Sequence, residues 1–156
     1  MRSAVIYYSY SGNTKKVAKV LIGRLKEKGE VDIIELTALD ESNKFFSQCA
    51  RAIRHKRAQI APVNPDLSGY DLICLGTPVW AFAPAPAVNT FLDECSGVGA
   101  KPAVLFTTYG SGTGKERCAD YMQQILTKKG VGNFKRFSVQ QSKVDDKEFV
   151  LSKMPL

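Results

Sequence analysis

The sequence predicts one α/β domain spanning residues 1–156, a three-layer sandwich built on a five-stranded parallel sheet of order 2-1-3-4-5. Three observations lead there. Short apolar runs alternate with segments of helical periodicity along the chain, the pattern of βαβ units with right-handed crossovers. The first, third and fourth runs are almost wholly apolar, as strands covered on both faces must be. The second run carries Asp32 and Glu35 and the fifth Lys135 and Arg136, which suits the two edges of the sheet.

In order, Ser3 to Ser9 is the first strand, followed after its loop by a helix over Lys15 to Lys28 with Val17, Val20, Leu21 and Leu25 on one face. Val31 to Leu36 is the second strand. A longer connection holds a helix near Ser42 to Gln59, then Pro62 and Pro65. Tyr70 to Gly76 is the third strand, and its loop leads to a helix carrying Val88, Phe91, Leu92 and Cys95. Pro102 to Thr108 is the fourth, before a helix with Cys118, Met122, Ile125 and Leu126. Phe134 to Gln140 is the fifth. A short last helix starts at Ser142 as N-cap, with Asp145 three residues on, and buries Phe149, Val150 and Met154. No repeat or linker interrupts this series.

Composition narrows the function. Hydrophobic residues make up 44% and charged residues 24%, enough for a core without disulfide or metal staples. Ala4 to Tyr8 is too short for a signal-peptide core and no apolar run reaches bilayer length, so the expected location is the cytoplasm, with no membrane insertion. Cys49, Cys74, Cys95 and Cys118 form no CxxC pair and read as reduced, apolar side chains. His55 is the only histidine, which argues against a histidine triad or a multi-histidine metal site. The net charge is +7 (22 basic minus 15 acidic residues). Its densest cluster, Arg51, Arg54, His55, Lys56 and Arg57, has no interleaved aromatics, so it reads as a solvated helix face and not as a nucleic-acid platform. A monomer or weak dimer is expected.

In a sheet of order 2-1-3-4-5 the switch point falls between strands one and three, and ligands bind beyond the carboxyl ends there. The loop after the first strand, Ser9-Tyr10-Ser11-Gly12-Asn13-Thr14, packs three hydroxyls, an amide and a glycine against a helix start. Gly12 permits a backbone with N–H groups turned inward, and a helix amino terminus favours an anion. The dipole alone contributes about 0.3–1 kcal/mol. An ordinary capped turn explains the same residues equally well on this evidence. The stretch Tyr7 to Thr14 nevertheless resembles the FMN-phosphate signature of flavodoxins: hydroxyl residue, any residue, hydroxyl residue, glycine, any residue, threonine. The resemblance implies a flavodoxin-like fold with FMN as cofactor. It also implies that Ser9, Ser11, Gly12, Asn13 and Thr14 wrap the phosphate through hydroxyls and backbone N–H groups, without need of Lys15, with Tyr10 also among the cofactor-binding residues. Flavodoxin with FMN is itself the standard illustration of the switch-point rule, so the rule adds no independent support.

The third strand runs into Thr77-Pro78-Val79-Trp80-Ala81-Phe82, where prolines stiffen the segment around the only tryptophan. An indole held in such a loop suits stacking on a flat ring, worth roughly 0.5–1.5 kcal/mol beyond area burial. The alternative is that Trp80 or Phe82 anchors the loop to the core. The stretch is similar to the first flavin-contacting loop of flavodoxins. After the fourth strand, Tyr109-Gly110-Ser111-Gly112-Thr113-Gly114-Lys115 fails as a phosphate-binding P-loop. Tyr109 occupies the required glycine position, and Glu116 stands where serine or threonine belongs. The dinucleotide fingerprint fails too, its third glycine falling on Lys115. The resemblance implies that Tyr109, Gly110, Ser111 and Gly112 approach the flavin's pyrimidine edge, or simply form a flexible turn.

The chain departs from carrier flavodoxins in two ways. It is basic where they are typically acidic, and no glycine lies between Thr77 and Ala83, where many carriers use one to stabilise the one-electron state. Three functions remain open. One is a carrier moving electrons between cytoplasmic redox partner proteins, acidic ones by charge complementarity. The next is an NAD(P)H-dependent FMN reductase acting on a quinone or other small acceptor. The last is a flavin-free binding module on the same fold. The carrier stands slightly ahead. In each redox case the flavin does the chemistry and no catalytic side chain is assigned.

Overall fold

Strand β1 (Arg2–Tyr8) is buried from Ser3 onward. In the computed structural model, which describes residues 1–39 and 57–156, it is flanked in parallel by β2 (Glu30–Leu36) and β3 (Leu72–Trp80). Strands β5 (Pro102–Tyr109) and β6 (Asn133–Gln140) extend the sheet beyond β3, both parallel. The two-residue β4 (Ala83–Pro84) only folds back antiparallel on the end of β3. The path is β2-β1-β3-β5-β6, so with β4 set aside the order is the one the sequence predicts. The charged second and fifth runs do form the edges. The helix expected near Ser42 to Gln59 lies outside the described residues up to 56, and its last three residues, 57–59, are not helical. Cys49 and the basic cluster except Arg57 also lie outside the described residues. Arg57 itself pairs with the Asp93 carboxylate.

Alternation along the strands divides the core in two. Ile6, Ile73 and Leu105 face one side and meet Phe91 and Leu92 of α2 (Pro86–Glu94) with Met122 and Leu126 of α3 (Lys115–Lys128). Val5, Cys74, Val104 and Phe106 face the other, against Val17, Leu21 and Leu25 of α1 (Asn13–Lys26) and Val150 of α4 (Lys147–Lys153). Gly76 belongs to this second face. A Cβ there would lie 2.1 Å from Cζ of Phe106, whose ring is stacked on Phe137 at 5.7 Å.

Three expectations need correction. The third strand continues to Trp80, so Thr77 through Trp80 are strand residues. Pairing with β1 ends at Tyr7↔Gly76, while β5 still pairs through Pro78↔Thr108. At Thr77 and Pro78, before the β4 arm pairs with Val79 and Trp80, β3 has only β5 as neighbour, and there a proline, lacking its N–H, is tolerated. The first helix starts at Asn13, with Gly12 at φ 89° as its N-cap. The last helix starts later than expected: a 3₁₀ turn occupies Gln141–Lys143, and Asp146, not Ser142, caps it by accepting from Phe149 N–H at 2.9 Å. Of its three apolar residues only Val150 is fully buried, with Phe149 and Met154 partly so.

Cys74, Cys95 and Cys118 are unpaired and buried, and burial pushes the Cys74 thiol up to about 12. No helix among the described residues is long and apolar enough to cross a membrane.

Candidate functional site

The carboxyl ends of β1, β3 and β5 open onto one cleft of about 390 Å³. Tyr10, Ser11, Asn13 and Thr14 line it from the β1–α1 loop, Pro78, Val79 and Trp80 from β3, and Tyr109, Gly110 and Ser111 from the end of β5. Thr108 and Gln141 complete the wall. A larger groove of about 600 Å³ lies between α1 and the carboxyl-terminal helix. None of the switch-point loops contributes to it, so the smaller cleft is the candidate.

The β1–α1 loop is built to leave donors available. The hydroxyl of Ser9 accepts the Lys15 N–H at 3.1 Å, doing for the helix what the side-chain-less N-cap Gly12 cannot. The first helical bond runs from Lys16 N–H to Gly12 C=O at 3.0 Å, so the N–H groups of Asn13 and Thr14 have no intrahelical acceptor. No acidic residue occupies the first turn of α1, while Arg24 and Lys26 stand in its last. Lys15 turns away to Glu35, Nζ to Oε2 2.8 Å. Among the described residues, none that lines the cleft carries a charged side chain.

Glu35 also accepts from the hydroxyl of Tyr7 at 3.1 Å. Burial, and next the Glu35 charge, push the Tyr7 phenol up to about 12. Because the folded state favours the neutral phenol, this pair's contribution is present below pH about 10 and is lost as the pH rises toward 12. In a tyrosine ¹³Cζ titration the Tyr7 resonance should stay neutral until near pH 12. Titration of Tyr7 near the ordinary value of about 10 would remove the pairing with Glu35.

Aromatic rings wall the cleft opposite the helix start. Trp80, read from sequence as a loop residue, is only 5% exposed and joins the core. It meets the edges of Tyr8 and Tyr10 at centroid distances of 5.6 and 5.5 Å, close to perpendicular in both. It thus anchors its segment and lines the cleft at once. Tyr109 lies under the ammonium of Lys115 at 4.6 Å.

Other expected site residues sit behind the cleft or beside it. Thr77 is wholly buried: its hydroxyl donates to Pro78 C=O at 2.9 Å and accepts Ala85 N–H at 3.0 Å, tying the β4 arm to β3. Ala81 and Phe82 form the turn of that arm at φ 47° and 69°, left-handed values unusual for residues bearing a Cβ. Phe82 is 43% exposed and borders a side pocket of about 140 Å³ with Val79, Tyr109 and Gly110. Gly112 packs under the Tyr109 ring. Sequence reasoning missed Thr108 and Gln141. Thr108 is the next-to-last residue of β5 and Gln141 directly follows β6, and their place at the carboxyl ends of these strands is the signal that could have found them.

The profile of the NADPH-dependent FMN reductase family matches residues 1–142. A protein of Brucella anthropi described as NAD(P)H dehydrogenase (quinone) is 33% identical over 103 residues, 65% of this chain and 50% of that one. The chain spans about half the length of the curated relatives it matches. Among solved structures, a Lactobacillus acidophilus flavoprotein in complex with FMN aligns over 94% of this chain and 98% of its own, with TM-score 0.69 and 23% identity. Oxidised Flavodoxin 1 from Bacillus cereus aligns over 97% and 95%, with TM-score 0.62 and 19% identity. The fold is flavodoxin-like.

Proposed function

This chain belongs to the NADPH-dependent FMN reductase family, and from that premise we propose that it takes a hydride from NAD(P)H onto FMN and passes the electrons to a quinone or similar small acceptor. Read without relatives, the sequence ranks a carrier slightly ahead, and the family match favours the reverse order. FMN is the cofactor expected from the Ser9–Thr14 motif, and the family is named for it. The observation that carries the reading is the cleft itself, where a helix start with available N–H donors faces a wall of aromatic rings.

The residues present fit such a group. An uncharged lining of hydroxyls, an amide and two N–H groups suits a phosphate ester held by fixed donors. Ser9 holds the α1 start in place, and Ser11, Asn13 and Thr14 offer donors around it. Trp80, packed near-perpendicular against Tyr8 and Tyr10, offers the ring system an aromatic wall. Tyr109, Gly110 and Ser111 line the same cleft, and the Thr77 hydroxyl holds the β4 arm to β3. FMN, when bound, supplies the hydride acceptor and the one- or two-electron relay. No side chain is needed as acid or base for that transfer.

The test is aerobic NADH and NADPH oxidation by FMN-loaded protein, with and without a benzoquinone. Catalytic turnover that rises with the quinone supports the reductase. Failure to oxidise either nucleotide, with full reduction by a chemical reductant, returns the protein to the carrier class. A colourless protein that refuses added FMN leaves the binding module.

A further inference from the structure

We propose that Thr108 is a positioning residue that turns the hydroxyl proton of Thr14 toward the bound phosphate. The inference rests on the reading of the Ser9–Thr14 turn as the phosphate site. Thr108 has the same parity in β5 as Val104 and Phe106, so its side chain points to the α1 face, while Thr107 points to the other. There Thr108 Oγ1 lies 2.7 Å from Thr14 Oγ1, with both residues buried at 3% and 1% exposure, and both line the cleft. Thr107 is bonded instead to Ser138 across β6, Oγ1 to Oγ at 2.8 Å. The adjacent threonines therefore serve different partners.

Each hydroxyl has one proton to give and lone pairs to accept. The Thr14–Thr108 bond uses only one of the two protons. If Thr14 donates, its oxygen turns lone pairs toward the cleft, next to a doubly negative ester. If Thr108 donates, the Thr14 proton is left for the ester, alongside the Thr14 and Asn13 N–H groups. An anion in the cleft selects the second arrangement, and donation by Thr108 polarises the Thr14 hydroxyl and strengthens its own donation. Thr108 then acts through Thr14, without carrying charge into the site.

Thr108→Val keeps the shape of the side chain and removes the proton. Affinity for FMN is expected to fall about three- to tenfold, affinity for riboflavin to stay as it was, and Thr108→Ser to restore FMN binding. Riboflavin lacks the phosphate, so its unchanged affinity reports an intact fold and ring site. Loss of both ligands in equal measure, or of neither, overturns the role of Thr108. Thr14→Ala, measured in parallel, separates the two levels. If it weakens FMN selectively while Thr108→Val does not, only the coupling falls. If Thr14→Ala shows no selectivity, the phosphate reading falls as well.

Discussion

Thr14→Ala should weaken FMN binding roughly 10- to 150-fold while changing riboflavin binding little. The range follows from losing one hydrogen bond to a charged group, about 1.5–3 kcal/mol. Thr14 lies in the first turn of α1, where the N–H groups lack intrahelical acceptors and the dipole favours an anion. Alanine keeps the helix, and with it the backbone donors, so the loss isolates the hydroxyl. The substitution also leaves the buried Thr108 hydroxyl without its Thr14 partner, which costs the apoprotein about 1–3 kcal/mol. Flavin fluorescence titration with both ligands distinguishes the two effects. Equal weakening of FMN and riboflavin would remove Thr14 from phosphate binding.

The second large effect concerns the core that holds the loops in place. Gly76→Ala introduces a Cβ 2.1 Å from Phe106 Cζ, and Phe106 is fully buried and stacked on Phe137, so the ring has little room to retreat. Overpacking of this kind costs about 1–3 kcal/mol, and the closeness of the contact puts this case at the upper end. For a domain of this size that lowers Tm by roughly 6–12 °C. Phe106→Leu should cost less in the Gly76→Ala background than in the parent, a coupling read from a double-mutant cycle. A Gly76→Ala protein as stable as its parent would sink the assignment of this glycine to ring clearance. Gly76 precedes Thr77, so displacement of β3 there would move the walls of the cleft with it.

The sheet was legible because burial writes itself into strands: Val5 and Ile6, Ile73 to Leu75, and Ala103 to Phe106 are apolar on both faces since helices cover both. Asp32, Glu35, Lys135 and Arg136 marked the edges for the converse reason. The β1–α1 loop was legible as part of the candidate cleft from a local motif. Trp80 was not, because Pro78 and Pro84 signal a loop in any window that ignores which neighbour a strand has lost. The β4 arm was equally hidden, since its turn uses Ala81 and Phe82 where a two-residue hairpin ordinarily demands asparagine and glycine. Thr108 and Gln141 were missed because the motifs were sought in the loops, although both residues stand at carboxyl ends of strands that the sequence predicts. The cap at Asp146 competes with Ser142, an equally good candidate by type, and the intervening 3₁₀ turn decides between them.

Trp80 is the sole indole in the chain, and it is shielded from water while touching the cleft wall. Light absorbed at the red edge of the aromatic band is therefore deposited at a single address, and its emission reports both on the core that Trp80 packs into and on the cleft that it lines. The chain carries its own optical probe there, with no label to attach.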